Sequence, residues 1–182
     1  GELNPRITGA SSITNHAVFA LADAPLFLFH LLEWMDRDYK ISINAINQRW
    51  AREENIDSWS QLVMKHTDDT IEYITEAPQS GIYVMNDDGT INFNRMDTHR
   101  RAVDGDNEAF FLRISRKGDY LYEGADMGIL VMRGRLMTDD FQLQERAKKW
   151  IAAIKSSYQS AAPTNETLAQ NKVAEIGGFK MM

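Results

Sequence analysis

The stretch from Ala109 to Met137 constrains the fold of this chain more than any other. Ala-Phe-Phe-Leu-Arg-Ile alternates apolar and polar positions and then turns at Arg116-Lys117-Gly118. Asp-Tyr-Leu-Tyr-Glu-Gly and Gly-Ile-Leu-Val-Met-Arg-Gly-Arg-Leu-Met follow, and the chain then enters a helix-patterned segment from Asp139 to Tyr158. A period of two followed by a period of 3.6 spells a meander of antiparallel strands closed by an amphipathic helix. In that helix Leu143, Ala147, Trp150, Ile151, Ile154 and Tyr158 share one face.

Upstream, Ile-Tyr-Val-Met and Thr-Ile-Asn-Phe flank Asn86-Asp87-Asp88-Gly89. The Asp-Gly pair supplies left-handed turn geometry and predicts a hairpin. Before it the patterns look helical. Leu26 to Met35 is apolar nearly all round, which reads as a buried helix or a buried strand, and its Leu, His, Glu and Met content favours helix. Tyr39 to Ile43 reads as a short strand, and Asn44 to Glu54 as a helix with Ile43, Ile46 and Trp50 on one side. Ser58 and Gln61 form a capping-box pattern ahead of Trp59, Leu62, Val63, His66, Tyr73 and Ile74, which recur at helical spacing up to Pro78. The expectation is one α+β domain over residues 15–160, with a helical amino-terminal half, an antiparallel sheet within about 82–137 and a carboxy-terminal helix packed on it. Residues 1–14 read as an extended arm and 161–182 as a polar tail.

Composition removes several function classes. The 182 residues include no cysteine, which excludes disulfides, thiolate metal sites and cysteine nucleophiles. No apolar run approaches the roughly 18 residues of a membrane span, and no basic-then-apolar secretory pattern opens the sequence. A soluble protein is expected. The formal charge of −6 is uneven: residues 1–94 hold 6 Lys/Arg against 14 Asp/Glu, and residues 95–155 hold 12 against 10. Such asymmetry can orient a partner or a neighbouring subunit.

The most site-like cluster is Arg-Met-Asp-Thr-His-Arg-Arg, residues 95–101. A loop holding Asp97, His99, Arg100 and Arg101 has the residue types of an anion site or of an acid–base centre. Ordinary loop charge, with the arginines paired to Asp97, Asp104, Asp106 or Glu108, is the plainer account. His30 with Glu33 and His66 with Asp69 sit three apart, yet no HExxH arrangement accompanies either pair. Asp104-Gly-Asp-Asn-Glu108 opens like a calcium loop, but Ala109 replaces the turn glycine and Ser115 the bidentate glutamate, so it reads as a turn before a strand. Neither GxxxxGK[ST], GxGxxG nor GxSxG occurs, so no cofactor or nucleophile elbow is expected. Phe110, Phe111, Tyr120 and Tyr122 lie among Arg113, Arg116, Lys117, Arg133 and Arg135. Strand alternation sends much of that aromatic surface inward, which argues against nucleic-acid binding.

Asp36-Arg-Asp-Tyr-Lys-Ile-Ser-Ile-Asn44 resembles the first hairpin of PAS sensory domains. That resemblance implies a small-molecule sensor with a cavity lined by Phe27, Trp34, Trp50 and sheet residues. Missing catalytic signatures, charge asymmetry and two extension-like ends favour another reading. In that reading the chain is a non-enzymatic interaction or assembly protein, with other protein subunits as partners in a homo- or hetero-oligomer. A structural subunit of a viral or phage-like complex fits this profile. The third reading is an enzyme centred on the His99, Arg100 and Arg101 loop.

Overall fold

The structure is a computed structural model, and it describes residues 13–14, 17–18, 26–35, 37–55, 58–96 and 103–167. Two short helices come first, α1 (Leu26–Trp34) and α2 (Ile43–Trp50), followed by a 3-10 turn at Glu53–Asn55. Strands β1 (Trp59–Lys65), β2 (Glu72–Glu76), β3 (Gly81–Met85), β4 (Ile91–Arg95), β5 (Glu108–Arg113), β6 (Tyr120–Leu121) and β7 (Asp126–Arg133) follow. The longest helix, α3 (Glu145–Ser156), and a last strand, β8 (Gln159–Ala161), complete the described chain. The strands form a five-stranded sheet in the order β1-β7-β5-β3-β4 and a three-stranded sheet in the order β6-β2-β8, antiparallel throughout. No described helix is long and apolar enough to cross a membrane.

The expected helical amino-terminal half is overturned. Ser58 to Pro78, read as one helix, is the pair of strands β1 and β2. The sheet therefore starts at Trp59 rather than near residue 82, and the molecule is mostly sheet. The capping box does not form. Ser58 Oγ donates to the Asn55 carbonyl at 2.7 Å, and Gln61 Oε1 accepts the Ile13 N–H at 3.2 Å. Trp59, Leu62 and Val63 suit a helix by spacing, but they also alternate. Leu62 and Met64 face one core cluster while Trp59 joins the other. Seven paired positions with β7 decide between the two periods. Tyr39 to Ile43 is also not a strand: residues 37–42 are irregular and Ile43 opens α2, where Ser42 Oγ accepts the Ala45 N–H at 3.3 Å as an N-cap.

The turn between β3 and β4 uses the expected chemistry. Gly89 sits at φ 83°, the Asn86 N–H reaches the Thr90 carbonyl at 2.8 Å, and Asp88 accepts the Thr90 N–H at 2.9 Å. Thr90 also donates its hydroxyl, and these bonds hold the exposed Asp88 carboxyl below its ordinary range.

Alternation along β5 divides the core. Ala109 and Phe111 face the larger cluster with Tyr83, Leu130 and Met132, which α3 covers with Ala147, Trp150 and Ile154. Phe110 faces the smaller cluster with Ile82, Val103 and Val131, against which Ile13 and Trp59 pack. Helix α3 starts at Glu145, six residues later than Asp139, because Met137 and Leu143 bridge across a tight turn first. Glu145 in its first turn and Lys155 in its last suit the helix dipole. Ile74 and Leu121 of the small sheet join the same cluster, so both sheets and α3 share one core.

Candidate functional site

Asp97, His99, Arg100 and Arg101 lie outside the described residues. The chain that enters and leaves that stretch is described, and one carboxylate holds it. Glu108 Oε1 accepts Arg95 Nη1 at 2.7 Å and Asn94 Nδ2 at 3.2 Å. Its Oε2 accepts Arg95 Nη2 at 3.1 Å and the Asp104 N–H at 2.9 Å. The Arg95 hydrogen bonds, helped by those of Asp104 and Asn94, hold the Glu108 carboxyl below its ordinary range against the opposing effect of burial. With four donors and a depressed pKa, Glu108 is a structural pin and not a proton carrier. Arg133 adds a second fastening: its Nε donates to the Val103 carbonyl at 2.9 Å and its guanidinium stacks 4.4 Å from the Trp59 ring. Residues 104–108 are the turn into β5, with the Glu108 N–H on the Gly105 carbonyl at 3.1 Å.

The paired histidines do not form acid–base couples. His30 stacks edge-on against Trp34 at 6.1 Å, while Glu33 accepts the Tyr39 hydroxyl. That bond to Glu33 raises the Tyr39 phenol above its ordinary pKa. His66 is buried just after β1, with its backbone bonded to Ala125 and Gly124. Among the described residues no three His, Asp or Glu side chains gather around a metal-sized space. The aromatic and basic residues of the sheet are separated in the same way. Phe110 and Phe111 are core, Tyr120 packs edge-on against Tyr73, Arg135 pairs with Asp139 and Arg116 faces Asp119.

Of the residues expected around a ligand cavity, Trp50 lines a cleft of about 230 Å³ with Trp59, Ile13 and Ala17. Trp34 stands 79% exposed instead, and the Phe27 side chain lies outside the description. The residues that carried the PAS resemblance form no hairpin, since 37–42 are irregular and 43–50 helical.

Sequence reasoning missed the exposed apolar side chains of α1, because an all-round apolar helix reads as a buried one. Leu28, Leu31, Trp34 and Met35 of α1 and its exit are exposed, as are Tyr39 and Ile43. Between α1 and α2 opens a groove of about 410 Å³ lined by Phe29, Glu33, Tyr39, Ile41, Ile43, Ile46 and Asn47. A second outlier is Phe141, 77% exposed and at φ 62° in the turn before α3. No periodic signal marks such a residue. Comparison with known proteins finds no match to this chain: no family model, no curated protein and no solved structure.

Proposed function

We propose that this chain is a non-enzymatic assembly protein that joins other protein subunits through its α1–α2 face. The observation that carries the reading is the exposure of the apolar side chains Leu28, Leu31, Trp34, Met35, Tyr39 and Ile43. Contiguous exposed apolar surface on the order of 600 Å² is at the upper end for monomers and approaches the roughly 800 Å² per partner of a stable interface. Covering it supplies a gross driving force on the order of 15 kcal/mol. Ordering two subunits takes back about 4–15 kcal/mol, so pairing through this face is feasible and concentration-dependent. A place as a structural subunit of a larger complex follows the same logic, with the sheet and α3 as the rigid body and α1–α2 as the coupling element.

Sedimentation and light scattering across a concentration series test this. The expected result is an oligomer that Leu31→Asp with Trp34→Glu converts to monomer without changing the far-UV spectrum. A wild-type chain that remains monomeric in concentrated solution refutes the proposal.

A further inference from the structure

We infer that Asp104–Gly105 is a site of spontaneous covalent modification, where aspartate passes through a succinimide to isoaspartate and so unfastens the Glu108 pin. The sequence holds two Asp-Gly pairs, at 88–89 and 104–105, and no Asn-Gly pair. Glycine has no Cβ to shield its nitrogen, so these are the aspartates most open to attack by the following amide. In that step the Gly105 nitrogen bonds to Asp104 Cγ, the Cγ–OH bond breaks, and the amide proton leaves with the hydroxyl as water. Water then opens the ring at the former main-chain carbonyl. The chain now runs through Asp104 Cγ and is one methylene longer, with the α-carboxylate left pendant. The reaction needs no co-reactant other than water, and it is independent of how subunits join.

The two pairs stand in opposite settings. At Asp88–Gly89 both reacting groups are tied. Asp88 Oδ1 accepts the Thr90 hydroxyl at 2.6 Å and the Thr90 N–H at 2.9 Å, which holds the carboxyl on Thr90 and keeps it ionised, a poor electrophile. The Gly89 N–H is bonded to the Asn86 carbonyl at 3.0 Å, inside a turn that Asn86 and Thr90 close. At Asp104–Gly105 both groups are loose. The Asp104 side chain is 84% exposed, and its ion contact is a long 3.9 Å to Arg95, a guanidinium that Glu108 already grips twice. Among the described residues no group donates a closer bond to that carboxylate, and the Gly105 N–H has no acceptor.

The consequence falls on Glu108, which spans this turn. Its Oε2 accepts the Asp104 N–H at 2.9 Å, and its own N–H donates to the Gly105 carbonyl at 3.1 Å. The added methylene lies between those two groups. One bond must then lengthen or break, and Arg95 loses part of the carboxylate that fixes it.

Ageing the full chain in mildly acidic buffer made with heavy-oxygen water tests this, with peptide mapping of isoaspartate and of the incorporated label. Isoaspartate at Asp104 is expected to form about tenfold faster than at Asp88, the factor that one net hydrogen bond supplies. In strong urea the two rates should converge. Thr90→Val, which removes the hydroxyl donor, should speed the reaction at Asp88 and leave Asp104 unchanged. Aged wild type should melt lower than fresh protein. Asp104→Glu keeps the charge and the backbone N–H, but its longer side chain closes a ring far more slowly, so it should age without that fall. Equal rates in the folded chain, faster reaction at Asp88, or no isoaspartate at either pair overturns the assignment. An aged chain that carries isoaspartate at position 104 yet melts like fresh protein overturns the unfastening of Glu108.

Discussion

Replacing Glu108 by alanine should cost this protein about 2–3 kcal/mol. The change removes two bonds from Arg95, one from Asn94 and one from the Asp104 N–H. Deleting one partner of a fully buried ion pair costs about 3–5 kcal/mol. Here the Glu108 side chain is 12% exposed but Arg95 is 24% exposed, and Asp104 stands 3.9 Å from the same guanidinium. Water and Asp104 therefore recover part of the loss. In a chain of 182 residues each kcal/mol moves the melting temperature by about 2–4 °C, so a drop of about 5–10 °C is expected. The pH dependence has a fixed sign. Glu108 titrates lower in the folded state, so its contribution is fully present above the unfolded glutamate value of about 4.3 and is lost as pH falls through the folded value. Urea titrations of wild type and Glu108→Ala should show a constant gap near neutrality that closes in acid. Glu108→Gln, which retains a carbonyl for Arg95, should fall between them. A loss under about 0.5 kcal/mol at neutral pH, or a gap unchanged in acid, refutes the account of Glu108 as a pin.

Trp150→Ala should lose about 3–5 kcal/mol in the same assay, since the indole is 1% exposed at the centre of the larger cluster. Gly128→Ala should lose about 2 kcal/mol or more. Its new methyl would meet the Phe111 ring and lie 2.8 Å from the Leu112 carbonyl, which β5 cannot move without breaking its pairing with β7. Tyr158→Phe should cost about 1–2 kcal/mol, because its hydroxyl donates to the Met127 carbonyl at 2.8 Å and also meets that of Ser115 at 3.2 Å. Burial pushes that phenol well above its ordinary pKa, and a spectrophotometric titration should show one tyrosine that ionises only on unfolding. Phe141→Asn should raise the melting temperature of the monomer by about 2–4 °C, since it relieves a left-handed phenylalanine.

The candidate site was legible only in part. Residues 95–108 stood out by their charge, but the turn-forming and pinning roles of Glu108 come from Arg95 and Asp104 closing on it, which no spacing rule encodes. The α1 stripe was visible as composition and misread as core, because a sequence shows that a surface is apolar and not whether anything covers it. Phe141 gave no signal, since its meaning lies in a backbone angle.

Local chemistry alone determined the hairpin at Asn86–Thr90, the alternation of Phe110 and Phe111 between two cores, and the apolar face of Ala147, Trp150, Ile151 and Ile154 on α3. In each case the deciding interactions lie within a turn, a strand or a helix. Tertiary structure decided the rest. Trp59 to Lys65 fits two periods, and a strand gains its hydrogen bonds only from a partner; here that partner is β7, whose residues lie more than sixty positions later. The same dependence on distant chain placed β8 beside β2 and left Leu28, Leu31 and Trp34 of α1 exposed. A helix satisfies its own backbone, so sequence can announce it, whereas a strand is settled by what the rest of the chain brings alongside.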